Sequence, residues 1–137
     1  MASRELLDGL NEALNREVST FLRYILQGAM IKGHEWAPAR ELYLLEVADE
    51  VGHAQYLANK IVMLGGTPKL APDLTPPPAD VRQMLEHDME QERVDVRNYV
   101  RLAELADKEG HAELKITMEN QAADEARHGE EMERLLG

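Results

Sequence analysis

Residues 65–80 read GGTPKLAPDLTPPPAD, and this stretch contains five of the six prolines of the 137-residue chain. Proline lacks a backbone N–H and clashes with the preceding helical turn, so the stretch is predicted to be non-helical. It is long for a connection within a compact domain. The chain is therefore predicted to consist of two halves joined by a long crossover.

On both sides of this stretch, apolar residues recur at steps of three and four, which indicates amphipathic helices. Alternating β-branched runs, which are typical of strands, are missing. Before the crossover, we expect one helix from an N-cap at Ser3 to Gly33 and a second from near Pro38 to Gly65, each of about 30 residues. Their apolar stripes contain Leu6, Leu10, Leu14, Phe21 and Ile25 in the first, and Val47, Ala54, Leu57, Ile61 and Leu64 in the second.

After the crossover, a third helix is predicted from near Asp80 to Gly110 and a fourth from about His111 to Leu136. Their buried faces contain Leu85, Val96, Tyr99, Leu102 and Ala106 in the third, and Leu114, Met118, Met132 and Leu135 in the fourth. Two short connections and one long one predict an all-α fold. It is an antiparallel four-helix bundle of two helical hairpins joined by a long crossover, in a single domain over residues 1–137.

Composition excludes several classes of function. Cysteine is absent, which excludes disulfides, thiolate zinc sites, iron–sulfur clusters and thiol nucleophiles. The formal net charge of -11 argues against nucleic-acid binding and suits a protein that attracts cations. The N-terminus lacks a basic and apolar leader, and no stretch approaches the roughly 18 apolar residues of a membrane span. We expect a cytoplasmic protein that holds any metal through oxygen and nitrogen.

Charged residues interrupt the apolar stripe of every predicted helix. The interrupting residues are Glu17, Glu50, His53, Glu92, Glu125 and His128. The spacing from Glu17 to Glu50 is 33 residues, as is that from Glu92 to Glu125, and each histidine lies 36 residues after the first glutamate of its half. Each half thus contributes one glutamate and one Glu-x-x-His motif, which is the pattern of di-iron and di-manganese carboxylate bundles.

Charge favours two divalent metals at this position. Four buried carboxylates repel one another, whereas two divalent cations would neutralise them and neutral imidazoles would add ligands without charge. An oxygen-rich site with one nitrogen for each metal suits iron or manganese better than zinc. We expect Glu50 and Glu125 to bridge the metals, with Glu17 and His53 on one ion. The second ion would be completed by Glu92 and His128.

The same segments resemble the bacterioferritin branch of the ferritin-like superfamily over almost the whole chain. The likeness is carried by Leu10 to Glu17 with Tyr24, by Asp49 to Ala54, by Ile61 to Pro68, by Asp88 to Glu92 and by Asp124 to His128. The resemblance implies ferroxidase chemistry, in which two ferrous ions bind and are oxidised by dioxygen or hydrogen peroxide for iron storage or detoxification. It also implies a homo-oligomer, at least a dimer.

The sequence departs from this family at two places. Val51 stands where bacterioferritins commonly have the methionine that ligates haem, so we expect no haem. No counterpart of the family's short fifth helix follows the fourth predicted helix, so the sequence leaves open whether the homo-oligomer is a closed shell.

Alternative interpretations remain open for several residues. Asp95 stands at the position of an additional carboxylate in rubrerythrins, which favours a peroxide-reducing enzyme, but it also fits a partner of a basic residue. A manganese-dependent enzyme that dismutates peroxide is a separate alternative. Tyr24 could hydrogen-bond a ligand, supply an electron or fill the core. Glu46 and Asp49 could relay iron or occupy solvated positions, and Gln121 is expected to hold a ligand in place. A metal-free helical interaction bundle is the remaining alternative.

Overall fold

The computed structural model describes residues 1–137 and contains four α-helices and no strand. The helices are α1 (Arg4–Met30), α2 (Ala37–Met63), α3 (Val81–Lys108) and α4 (Ala112–Leu136). α1 packs mainly on α2, α3 packs mainly on α4, and the two hairpins meet through α1–α3 and α2–α4 contacts. The predicted all-α bundle of two hairpins is confirmed. None of the helices has a stretch that is both long and apolar enough to cross a membrane.

The helix ends follow local capping chemistry. The side chain of Ser3 accepts a hydrogen bond from the Leu6 N–H, and that of Asp80 accepts one from the Gln83 N–H, as expected for N-caps. The end of α1 was predicted too late, because the helix stops at Met30 and not at Gly33. Ile31 leaves the helix with extended backbone and is buried in the apolar cluster at that end of the bundle.

The crossover is held along α1 by polar side chains at every fourth helical position. Asn11 and Asn15 each donate to a crossover carbonyl and accept from a crossover N–H two residues further on. The bonds are Asn11 with Thr67 O and Lys69 N, Asn15 with Lys69 O and Ala71 N, and Ser19 with Asp73 N, at 2.5–3.1 Å. Four helical residues rise about 6 Å and two extended residues span about 6–7 Å, so the two registers match. The crossover therefore runs parallel to α1 and starts α3 at the opposite end of the bundle from the end of α2.

Two apolar clusters fill the bundle, one on each side of a buried polar layer. The larger cluster includes Leu10, Leu57 and Leu114, whereas the smaller one includes Tyr24 and Met132. One predicted core position is wrong. Ile25 is 48% exposed, because seven residues make almost two helical turns and therefore place Tyr24, not its neighbour, on the face of Glu17.

Candidate metal centre

The polar layer brings together all six residues that the sequence pattern selected. They are Glu17 from α1, Glu50 and His53 from α2, Glu92 from α3, and Glu125 and His128 from α4, and each is at most 6% exposed. They form two overlapping groups, within each of which one potential ligand atom of every residue lies within 4.8 Å of the others. The first group is completed by Glu17 and His53, and the second by Glu92 and His128. Glu50 and Glu125 belong to both, so only these two carboxylates are placed to bridge.

The two histidines are oriented by aspartates on the opposite helix. Nε2 of His53 lies 2.9 Å from Asp124, and Nε2 of His128 lies 3.0 Å from Asp49. The other ring nitrogen of each histidine, Nδ1, faces the buried glutamates. Nδ1 of His53 lies 3.3 Å from a carboxylate oxygen of Glu125. For His128, Nδ1 lies 3.1 Å from Glu50. Because an aspartate favours an N–H on Nε2, Nδ1 is the nitrogen that remains free to bind a cation.

Two tyrosines connect the hairpins crosswise. The hydroxyl of Tyr24 on α1 donates to Glu92 on α3, and the hydroxyl of Tyr99 on α3 donates to Glu17 on α1, both at 2.5 Å. Each glutamate keeps its other oxygen free of hydrogen bonds. Sequence reasoning assigned Tyr99 to the core only, although it follows Glu92 by seven residues just as Tyr24 follows Glu17. That repeated offset was the signal for its second role.

Many of the oxygen and nitrogen atoms that could bind a metal in this layer have no hydrogen-bond partner within the protein. Glu50 and Glu125 have two unpaired oxygens each, Glu17 and Glu92 have one each, and Nδ1 of both histidines is unpaired. A buried polar atom without a partner costs on the order of 1–3 kcal/mol. So many such atoms at one point destabilise the protein unless cations complete their coordination. The donor set of four carboxylates and two imidazoles therefore fits two divalent cations.

Electrostatics in the metal-free centre favour bound protons. Burial, followed by the charge of Glu17, raises the pKa of Glu50 well above its usual value, and burial with the same neighbour does so for Glu125. Burial alone would lower the pKa of His53, but hydrogen bonds and the charges of Glu17 and Asp124 outweigh it and raise this pKa to about 9. Cations that bind here must displace these protons.

Glu46 is a buried acid. Of the two expectations for this residue, the solvated position is therefore wrong. It is 3% exposed, and both of its carboxylate oxygens lack hydrogen-bond partners. Burial, followed by the charge of Glu92, raises the pKa of Glu46 to about 9. One of its oxygens lies 3.9 Å from Nδ1 of His128. On α4, Gln121 follows Glu46 by 75 residues, the offset that also relates the two ligand sets, and its buried carbonyl oxygen has no hydrogen-bond partner.

Two further aspartates are occupied by arginines. Asp95, which the sequence left open, pairs with Arg16 at 2.5 Å and is outside both ligand groups. Asp88 is fully buried and accepts hydrogen bonds from Arg23 and Tyr43 at 2.7 Å. Asp88 was missed as a structural residue, because its arginine lies 65 positions away and only the fold reveals the pair.

Comparisons with known proteins agree with this architecture. A family model described as a ferritin-like domain matches residues 7–137. A bacterial ferritin of Pseudomonas aeruginosa is 33% identical over 89 residues, which cover 65% of this chain and 58% of that relative. A ferritin-like di-iron-carboxylate protein from Bacillus anthracis has a similar structure, with 37% identity, a TM-score of 0.94 and full coverage of both chains.

More distant structures share the fold. A dodecameric thioferritin of Bacteroides fragilis is 23% identical with a TM-score of 0.88, and the match covers 97% of this chain and 84% of that one. A bacterioferritin of Mycobacterium tuberculosis is 22% identical with a TM-score of 0.88, with 99% and 86% coverage.

Proposed function

The chain belongs to the ferritin family, and on this basis we propose that it is a di-iron ferroxidase that binds and oxidises ferrous iron. The observation that carries the proposal is the pair of overlapping ligand groups that share Glu50 and Glu125. Such sharing holds two cations close together, whereas one isolated cation would need only one of the groups. Two adjacent one-electron donors are what a two-electron oxidant requires.

The proposed reaction balances in electrons and protons when solvent supplies the protons that the protein does not release. Two ferrous ions give one electron each to dioxygen, which takes up two protons and becomes hydrogen peroxide. Two further ferrous ions reduce the peroxide, with two more protons, to two molecules of water. Protons that Glu50, Glu125 and His53 release when ferrous ions bind are available for these steps. Tyr24 and Tyr99 keep Glu92 and Glu17 in place by their hydrogen bonds.

Assembly and storage are part of the same proposal. The Bacteroides fragilis relative is a dodecamer, and the family resemblance favours a homo-oligomer for this chain as well. We propose that oxidised iron is retained by such an assembly in the cytoplasm, for storage or detoxification. The mass of the purified protein and electron microscopy after iron loading would test this part separately.

The decisive experiment is anaerobic ferrous titration followed by exposure to oxygen. We expect two ferrous ions bound per chain and rapid oxygen consumption. Glu50→Ala and Glu125→Ala should lose both ions and oxidation, because each removes a carboxylate shared by the two groups. Glu12→Ala, at an exposed position of α1, is the matched control and should behave like the unmodified protein. Unchanged oxidation in both bridging variants would contradict the proposal.

The alternatives predict different outcomes. A manganese-dependent or rubrerythrin-like enzyme would be purified with manganese or would turn over peroxide many times without retained ferric product. Asp95 gives no added support to a rubrerythrin-like centre, because Arg16 already pairs with it. A metal-free bundle would show no stoichiometric metal and no thermal stabilisation when ferrous, manganous or zinc ions are added.

A further inference from the structure

A groove of about 380 Å³ opens between α3 and α4 and ends at the metal centre. Its floor is formed by Glu92 and Glu125, which are 1% and 0% exposed. Its walls include Val96 from α3 and Gly129 from α4. Both glutamates are potential metal ligands, so the floor of the groove is part of the metal centre.

The equivalent surface of the other hairpin is closed. The residues 75 positions earlier in the sequence include Val18, Phe21 and Ala58, which pack against the larger apolar cluster, and Ala54, which is buried in it. Their counterparts on the α3–α4 side are Arg93, Val96, Glu133 and Gly129, which line the groove. The two hairpins therefore repeat the proposed ligands but differ in the residues that lie outside them. Apolar packing covers the ligands of the α1–α2 hairpin, whereas the groove leads to those of the α3–α4 hairpin.

Gly129 determines the width of this approach. It lies inside α4 and is not among the glycines with positive φ, so the backbone does not require glycine there. A Cβ built on Gly129 would meet only the Cβ of Glu92, at 3.7 Å, within 4 Å. Any larger side chain would project into open space above Glu92 and would fill the groove.

Charge distinguishes this groove from the α2–α4 face. The rim of the groove carries two arginines and two glutamates, Arg93, Arg97, Glu130 and Glu133, whose formal charges cancel, and the remaining charged groups of its lining are the two floor carboxylates, Glu92 and Glu125. On the α2–α4 face, by contrast, Asp49, Asp124 and Glu46 surround the histidines, and Arg127 is the single base paired there, with Asp124. A divalent cation is attracted to the acidic face. A neutral molecule gains nothing from that field, so it can approach through the groove, whose rim has no excess of one charge.

We propose that the α3–α4 groove is the entrance for the neutral oxidant, dioxygen or hydrogen peroxide, and that the absence of a side chain at Gly129 keeps it open. The inference rests on the proposed ferroxidase function. It separates the approach of the oxidant from that of the ferrous ions.

The test measures the access of a neutral probe and of a cation independently. Nitric oxide is a small neutral ligand for ferrous iron, and its association with anaerobic, ferrous-loaded protein can be followed by stopped-flow absorbance. Cobalt(II) binding to metal-free protein reports the access of a divalent cation. For Gly129→Leu, we expect the rate constant for nitric oxide to fall roughly tenfold, with a smaller decrease for Gly129→Ala. The rate and stoichiometry of cobalt binding should not change.

Two controls complete the experiment. Gly52→Leu, at an exposed position of α2 where a Cβ meets no atom within 4 Å, should leave both rates unchanged. Val96→Phe blocks the groove from its other wall and should also slow the association of nitric oxide. It keeps the proposal testable if Gly129→Leu perturbs the fold.

Each other outcome is informative. The proposed entrance would be overturned if the rate constant for nitric oxide association were unchanged in both blocking variants. It would also be overturned if cobalt binding slowed in both by the same factor as nitric oxide association. Failure of the unmodified protein itself to bind two cobalt ions would instead overturn the proposed di-metal function.

Discussion

The α1–α2 and α3–α4 hairpins supply equivalent sets of proposed ligands and place them in different surroundings. Each provides a glutamate, a Glu-x-x-His motif, a tyrosine seven residues after the first glutamate and an aspartate directly before the second. The surroundings differ, because Glu46 faces the centre in one half and Gln121 occupies the corresponding position in the other. The outer covering is apolar in one half and grooved in the other. Ligand geometry thus constrains few positions, and the remaining positions are free to specialise.

The largest expected effect tests whether the halves are equivalent in binding. His53→Ala and His128→Ala should each remove the nitrogen ligand of one ion, so that each variant binds one cobalt ion per chain instead of two. Ferrous oxidation should fall by more than about 100-fold in both, because a two-electron oxidant then meets one donor. Cobalt titration and stopped-flow oxidation measure these changes. Loss of both ions in only one variant would break the equivalence.

Substitution of the tyrosines should have a smaller effect. Tyr24→Phe and Tyr99→Phe each remove a hydrogen bond to a ligand glutamate and should weaken metal binding by about 10–100-fold, as measured by cobalt titration. The comparison also tests the second role considered for Tyr24. Its ring lies 4.9 Å from that of Tyr43, whereas the Tyr99 ring lies edge-on to His53 at 6.3 Å.

Equal losses of affinity and of oxidation rate in the two tyrosine variants would indicate that both residues only position ligands. A slower oxidation of the fully loaded protein in Tyr24→Phe alone would indicate that Tyr24 supplies an electron.

Glu46→Gln makes the first half resemble the second and should stabilise the metal-free protein. The folded-state pKa of Glu46 is about 9, above the ordinary value of 4.5, so the folded protein binds a proton more tightly there than the unfolded chain does. This group therefore makes stability fall as pH rises from about 4.5 to 9. At pH 8 the variant should gain on the order of 1–3 kcal/mol, and its stability should depend less on pH in this window. Urea unfolding of metal-free protein between pH 5 and 9 measures this, and a steeper dependence in the variant would contradict the assignment.

The smallest expected effect concerns the glycines inside α2 and α4. Gly52→Ala and Gly129→Ala should each raise the free energy of unfolding by about 0.5–1 kcal/mol, because alanine is the better helix former and the added Cβ meets no close contact. Gly9→Ala is the matched comparison, since its Cβ would lie 2.7 Å from Leu102 Cδ2. Thermal unfolding should show a smaller gain or a loss for Gly9→Ala. A loss for Gly129→Ala would mean that the groove is tighter than its geometry indicates.

The sequence predicted the parts of the molecule that violate simple burial rules. A buried glutamate costs free energy, so the glutamates within apolar stripes, such as Glu17 and Glu92, indicated a functional site. The prolines of residues 65–80 predicted the crossover. Features that depend on contacts between distant helices were not predictable in this way. Glu46 does not belong to a repeated motif, and its burial follows from how α2 meets α4. The crosswise bond of Tyr99 to Glu17 likewise depends on the approach of α1 to α3.

The two carboxylates common to both ligand groups have a consequence for how the protein responds to iron. In the proposed centre, a first ion would displace protons from Glu50 and Glu125, which belong to both ligand groups. A second ion would then bind carboxylates that have already lost their protons, so we expect the two binding events to be cooperative. At low concentration, the occupied pair should grow with the square of free ferrous iron. Oxidation would then stay slow while iron is scarce and rise steeply once it is in excess.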